Sequence, residues 1–489
     1  MCNILNCFSP FWKQIWTAST VLILNIGQGL ILGYQSILIA ALSAPDSPIK
    51  TDVASISWLT ASFAPAALTG GLLSCFFLGW LGRKKSFILF TLPAIIGLLL
   101  TYFAQNYISL LIGRMLNGLT SGGLHSIGIV SIAEYVHPKY RCMFLNLKTA
   151  TITSGVAIIH GLGTYLHWRA GAIVILIPHG VAFGMATLWT ESPSWYASKK
   201  RFDECEDSFY WIRGRSNSCK CEVKELIKAQ RERLSNDKKI IRRVYILQLL
   251  SKITRKDFLK PLLISIIAII IMEMSGRHVF PSYALQFMSD IIGPQTEYHY
   301  YYTVILDLII TIGAICSSAL VRLIKVRTLL FTTGFTALTA LFLACIYFFL
   351  VSKGIISNDR PWIVVLLLVV YFFFANLGCS PIPIALAGEI FPLEYRAVGN
   401  CMVVVFGSVI LMVSLKIIPY LLIEIKAYGT FASFGAITAL GLFILYFILP
   451  ETKNKTLQEI EDYFSNRSVQ HKNVSEIDDT ENQKIINDI

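Results

Sequence analysis

Two stretches of this chain carry the same arrangement of charges. Glu134 precedes Arg141 by seven residues in AEYVHPKYR, and Glu389 precedes Arg396 by seven in GEIFPLEYR. Further along, at the end of a long apolar run, each is followed by a second acid, Glu191 in TESPSW and Glu451 in PETKNK. Carboxylates and guanidiniums form bidentate, charge-assisted pairs. A cluster of them holds surfaces together better than one exposed bridge worth about 1 kcal/mol or less. Such pairs make and break contacts rather than covalent bonds. An ionic cluster repeated in both halves of an apolar chain points to two lobes that rock about a central site.

The elements that must position these charges are legible in the hydropathy. The 489 residues have a mean hydropathy of +0.61, with 55% hydrophobic and 15% charged residues. That is too apolar for an ordinary soluble protein. Apolar runs of about 20 residues, enough to cross roughly 30 Å of hydrocarbon as a helix, recur near 16–41, 56–78, 86–104, 108–133, 144–166 and 170–189. A second set lies near 260–288, 299–321, 327–351, 362–388, 398–423 and 428–449. The expectation is an all-α membrane protein of twelve transmembrane helices in two six-helix lobes. Residues 1–15 form a cytosolic N-terminus, 16–189 the first lobe, 190–259 cytosolic linker helices, 260–450 the second lobe, and 451–489 a cytosolic C-terminal helix and disordered tail. Apolar spacing at Phe209, Ile212, Val223, Leu226 and Ile227 marks the linker as amphipathic.

Lys and Arg set the orientation, because cytoplasmic loops hold an excess of them. Arg83, Lys84 and Lys85, then Lys139 and Arg141, then Arg322, Lys325 and Arg327 fall on one side, together with seventeen basic residues between 190 and 259. Both termini are therefore expected in the cytosol of a multi-pass plasma-membrane protein. The net charge of +12 follows from that topology, so no nucleic-acid partner is implied; the lipid bilayer is. The sequons at Asn454, Asn466 and Asn473 fall on the cytosolic side, where no glycan is added. Only Cys219 and Cys221 are closely spaced, and neither a disulfide framework nor a metal site is expected. The first apolar run is too long and too polar for a signal peptide.

Matching interruptions mark the path between the lobes. The seventh run is broken at Gly276 and Pro281, and the tenth at Gly378, Pro381 and Pro383. Breaks in corresponding places of two halves point to a binding site, since freed backbone groups need a cavity or neighbouring protein. Intramembrane charges are costly and functional or paired. Glu273 and Arg277, four apart with the acid first, are expected to pair on one helix face near the external gate. Asp307 and Lys416 are left as a conjectural second pair.

These residues together resemble the sugar porter family of the major facilitator superfamily over about residues 15–465. GCSPIPIALAGEIFPLEYR (378–396) and LPETKNKTLQEIEDYF (449–464) carry most of the likeness, with LGRKK, GRMLNG, ESPSWY and KKRFDECEDSFYWIRG in support. Within the family the pattern is most similar to insect facilitated trehalose transporters. The resemblance implies the major facilitator fold and a gate built from Arg83, Glu134, Arg141 and Glu191 in one lobe and Arg327, Glu389, Arg396 and Glu451 in the other. It implies a sugar uniporter working by alternating access on a hexose or trehalose, with no enzymatic chemistry, no cofactor and a monomeric chain. The chain has no Gly-rich phosphate loop of the ATP-driven kind.

Departures from the family fall at informative places. Gly79 replaces the usual acid before GRRK, and MEMSGRH (272–278) replaces QQLSGxN. The helix-five glutamine corresponds to Thr149, the tryptophan after PIP to Ile384, and the Asn-Trp pair of helix eleven to Gly407 and Ser408. Sugars are held by groups that donate and accept hydrogen bonds against an aromatic face. Gln28, Gln35, His160, Glu273, His278 and Asn376 are the substitutes this chain offers, with Tyr283 and Phe374 as walls. Proton-moving members resemble one another in an acid where this chain has Gln35, which favours uniport. The alternatives are a proton-coupled symporter using Glu273 or His160, and a non-transporting sugar sensor.

Overall fold

The computed structural model describes residues 8–163, 165–236, 256–292, 298–356, 362–391 and 396–451. Outside them lie residues 452–489, with the expected tail and its sequons. The side chains of Arg141, Glu389 and Arg396 also lie outside the described residues.

Among the described residues every regular element is helical. The first half comprises α1 (Pro10–Leu42), α2 (Val53–Ala61), α3 (Phe63–Trp80), α4 (Arg83–Tyr102), α5 (Tyr107–Tyr135), α6 (Pro138–Gly163) and α7 (Trp168–Thr187). Three shorter helices follow: α8 (Pro193–Ser198), α9 (Phe202–Arg213) and α10 (Asn217–Asn236). The second half comprises α11 (Lys256–Met274), α12 (Val279–Ile292), α13 (Tyr298–Leu323), α14 (Val326–Ser352), α15 (Trp362–Leu377), α16 (Pro381–Glu389) and α17 (Arg396–Ile448). Nine described segments are long and apolar enough to cross a membrane, with α2–α3 and α11–α12 each counting as one. α5 and α6, of 29 and 26 residues, are long enough but carry more polar groups. α17 breaks into two arms at Lys426, where φ is 59°.

Local chemistry explains the ends and the close packing. Asp52 and Asn106 cap α2 and α5 by accepting from the Ser55 and Ser109 amides at 3.0 and 2.9 Å. α1 and α6 meet backbone to backbone: a Cβ on Gly29 would lie 1.9 Å from the Ile152 carbonyl oxygen, and one on Gly155 2.2 Å from that of Ile26. At the end opposite Arg83 and Arg327, the halves exchange side chains. Ile39 of α1 joins the core of α12, α14 and α17 around Phe287 and Phe431, while Leu285 of α12 joins the core of α1 and α7 around Tyr34 and Trp168. That end is called the far end below, and the Arg83 end the basic end.

Two spans of the second half are interrupted midway. Gly276, at φ +85°, stops the α11 ladder, and Arg277 and His278 occupy the turn before α12. Pro281 falls in the first turn of α12, where a missing N–H removes no ladder bond; the irregular point of that helix is Tyr283, at φ −127° and ψ 18°. Between α15 and α16 the Ser380 amide reaches back five residues to the Ala375 carbonyl, at 3.0 Å, a local widening of the helix. Gly378 packs there against Thr333, and Pro381 and Pro383 open α16.

Candidate functional site

At the basic end, the first half ties three elements together. Arg83, at the start of α4, forks onto Glu134 of α5 with Nε to Oε2 at 2.8 Å and Nη2 to Oε1 at 2.6 Å. Ser192 also donates to Glu134. Glu191, just after α7, accepts from the Arg83 amide at 2.6 Å and the Lys84 amide at 3.2 Å. Its carboxylate thus sits on the N-terminus of α4, where unpaired amides and the helix dipole both favour an anion. Gly82, at φ +93°, makes room: a Cβ there would lie 2.5 Å from the Glu191 carboxylate. Burial pushes the Glu191 carboxyl above the usual carboxylate range, against the pull of the Ser192, Arg83 and Lys84 amides.

The second half repeats the same device. Glu451, after α17, accepts from the Val326 and Arg327 amides at the start of α14, both at 3.2 Å. Arg327 Nη2 donates to the Tyr446 carbonyl at 2.6 Å, and its guanidinium lies over the Tyr446 ring. Arg83, Glu134 and Glu191 therefore meet inside one half, and Arg327 and Glu451 inside the other, rather than bridging the two. Gly79, where an acid was the family norm, has open space beyond its Cα and offers its carbonyl to Trp195 Nε1 at 3.2 Å.

The halves meet at mid-depth and at the far end. His160 Nδ1 of α6 lies 2.5 Å from Asp307 Oδ2 of α13, with both side chains sealed from solvent. His160 Nε2 contacts Ser36 Oγ at 2.9 Å and the Gly33 carbonyl at 3.1 Å. The conjectured Asp307–Lys416 pair is thus replaced. Lys416 instead places Nζ 3.1 Å above the Trp58 ring, and its carbonyl accepts from Ser57 Oγ at 2.7 Å. The Glu273–Arg277 pair is also corrected. Because α11 ends at Met274, the i, i+4 geometry does not exist, and Glu273 Oε2 takes His278 Nδ1 at 2.8 Å. Arg277 Nη1 turns to the Ser380 carbonyl at 3.3 Å. All three side chains lie midway along the α11–α12 span rather than near an end.

The other candidates are scattered. Gln28 Nε2 lies 3.2 Å from His179 Nε2, and Gln35 Nε2 donates to Thr60 Oγ1 at 3.1 Å; both amide oxygens are buried without a partner. Asn376 donates to its own helix, at the Phe372 carbonyl, 2.9 Å away. Tyr283 is tied to the Leu415 carbonyl at 2.9 Å, and Phe374 packs edge-on against Phe373. Sequence reasoning passed over Lys148 and His125, although a lysine inside an apolar run is itself a signal. Lys148 Nζ donates to the His125 carbonyl at 2.9 Å and lies 3.2 Å from His125 Nδ1.

This architecture has counterparts. The family model for the sugar (and other) transporter matches residues 20–464. The chain belongs to the sugar (and other) transporter family. Relatives in it include facilitated trehalose transporter Tret1 of Drosophila mojavensis, 27% identical over 92% of this chain and 51% of that protein. Tret1 of Bombyx mori is 26% identical over 95% of this chain and 89% of its own length. The chain spans about half the length of the Drosophila relatives it matches, 51% and 48% for D. mojavensis and Drosophila virilis. Among solved structures, the inward-open xylose transporter XylE from E. coli superposes with a TM-score of 0.73 at 16% identity, over 93% of this chain and 100% of that one. XylE bound to 6-bromo-6-deoxy-D-glucose, described as a major facilitator superfamily proton:xylose symporter, gives 0.68 at 17% identity, over 93% and 99%. This sugar (and other) transporter family member thus has the major facilitator fold.

Proposed function

We infer that this membrane protein is a facilitative transporter that moves a sugar, a hexose or trehalose, down its gradient by alternating access. The observation that carries the reading is the meeting of the two halves at mid-depth. Broken helices and polar side chains from both halves converge there, while each half is separately tied at its basic end. The relatives named above are transporters, and the family match supports the same work here without catalysis or cofactor. The basic end is assigned to the cytosol by its excess of Lys and Arg, with both termini on that side of the plasma membrane and the chain acting as a monomer. The Ser57–Lys416 hydrogen bond and the seating of Ile39 in the core around Phe287 then close the external side.

One observation favours proton-coupled symport as a second reading. His160 and Asp307 form a buried acid–base pair between the halves. Uptake of labelled glucose and trehalose into oocytes, with and without an imposed pH gradient, separates the two. Uptake indifferent to the gradient is expected, gradient-driven accumulation would establish the symporter, and surface-expressed protein that binds sugar without uptake would leave only a sensor.

A further inference from the structure

The charges at mid-depth do not balance. Four basic side chains gather there, His125 and Lys148 from the first half and Arg277 and His278 from the second. Glu273 stands among them, engaged by His278 at 2.8 Å and acting on Arg277 as well, while the other mid-depth carboxylate, Asp307, is taken by His160. His125 lies ten residues before the end of α5 and Lys148 ten residues after the start of α6, so both sit about 15 Å from the basic end at 1.5 Å per residue. Arg277 stands in the turn that Gly276 opens, and its charge acts on both His125 and Lys148 across the gap between halves. The His125 side chain is exposed and that of His278 is 25% exposed.

Neither Lys148 nor Arg277 has a carboxylate within ion-pair distance among the described residues, and Glu273 acts on Arg277 only from beyond that range. Arg277 carries five N–H donors. Those on Nη1 make only long contacts to the Ser380 carbonyl and hydroxyl, at 3.3 and 3.4 Å, and to Met272 Sδ at 3.6 Å. Basic groups inside a membrane are costly unless paired, and a planar guanidinium is the shape that grips a carboxylate or phosphate with two parallel bonds. A neutral sugar satisfies hydrogen bonds but leaves the charge excess as it is.

We propose that Arg277 and Lys148, flanked by His125 and His278, form an anion subsite between the two halves, so that the preferred passenger is a sugar bearing a carboxylate or a phosphate. This rests on the transport reading above and deepens it. Arg277 supplies the fork, Lys148 the opposing point charge, and Glu273 holds His278 to one side. Because the basic groups come from different halves, an anionic passenger would draw the halves together as it binds.

The purified full-length chain, reconstituted in nanodiscs of neutral lipid, is titrated with glucose, D-glucuronate and glucose 6-phosphate, with tryptophan fluorescence as readout. At least one of the two anionic sugars should bind tenfold or more tightly than glucose. Glucuronate ahead of glucose 6-phosphate identifies a carboxylate passenger, and the reverse order a phosphate. The ratio of affinities is independent of the active fraction, so variants that fold incompletely remain informative. Arg277→Gln should reduce the ratio below threefold, while Arg277→Lys, which keeps the charge but not the fork, should retain only part of it. Equal affinities in the wild type overturn the anion subsite while sparing neutral-sugar transport. A preference that survives in both Arg277→Gln and Lys148→Gln overturns the assignment to these residues. No binding and no uptake of any of the three sugars would sink the transport reading, and the subsite with it.

Discussion

His160 and Asp307 join the two halves of the molecule through a 2.5 Å contact from which solvent is shut out. Removing one partner of a buried pair strands the other and costs about 3–5 kcal/mol, whereas replacing both with apolar groups is often neutral or stabilising. His160→Ala should therefore lower the thermal midpoint in detergent markedly, and His160→Leu with Asp307→Leu should recover most of the loss. A double variant no more stable than the single one would show that the pair is not coupled.

Gly82 and Glu191 form a second matched set. Alanine at 82 must adopt a backbone conformation at φ +93° that strains any side chain by about 1–3 kcal/mol, and its methyl would meet the Glu191 carboxylate. Glu191→Ala leaves the start of α4 without its acceptor, at a cost of about 0.5–2 kcal/mol. Because both changes damage the same cap, their effects on thermal stability should be less than additive. Strict additivity would contradict a shared cap.

Burial raises the Glu191 carboxyl above its ordinary 4.5. The folded chain therefore keeps this proton to higher pH than the unfolded chain, so the stabilisation is full below 4.5 and lost as pH rises through the folded value. Stability curves of wild type and Glu191→Gln should diverge above pH 4.5, with the wild type losing ground. Parallel curves would rule this out.

Arg83 grips Glu134 with two donors, at 2.8 and 2.6 Å, and the side chains are 16% and 17% exposed. Lysine offers a point charge and no fork. Arg83→Lys should thus behave nearly like Arg83→Ala, and a double-mutant cycle with Glu134→Gln should return a coupling of about 1–2 kcal/mol. A coupling indistinguishable from zero would reduce the pair to a surface contact.

At the far end, Lys416 over Trp58 closes the seam between α2 and α17. Losing that contact costs the closed form about 0.5–2 kcal/mol, or roughly 2- to 30-fold in population. In a background without other reactive cysteines, Trp58→Ala should speed labelling of Ile56→Cys by an impermeant maleimide within that range. An unchanged rate would mean the seam is held by its apolar core alone.

Much of this was legible in the sequence because it was local or repeated. The acids Glu191 and Glu451 stand at equivalent places, and both prove to cap a helix in their own half. The pairing of Glu273 was misread because spacing of four residues implies contact only if the helix continues, and Gly276 ends it. Asp307 and His160 are 147 residues apart, and no spacing rule connects them; only the packing of α6 on α13 does. Lys148 and His125 escaped notice because each sits singly in an apolar run, and their significance lies in what faces them.

The break at Gly276 also divides allegiances. Residues of α11, from Phe258 to Met272, belong to the core beside α14 and α16 at the basic end, whereas those of α12, from Val279 to Ile291, belong to the core at the far end. One membrane span therefore serves two cores at opposite ends of the same α14 and α17, with a left-handed glycine as the joint between them. A tilt of α12 away from α1 about that joint would unseal the far end, where Ile39 and Leu285 cross between the halves. Arg277 and His278, carried in the joint itself, would register that tilt as a change in how far they reach toward the other half.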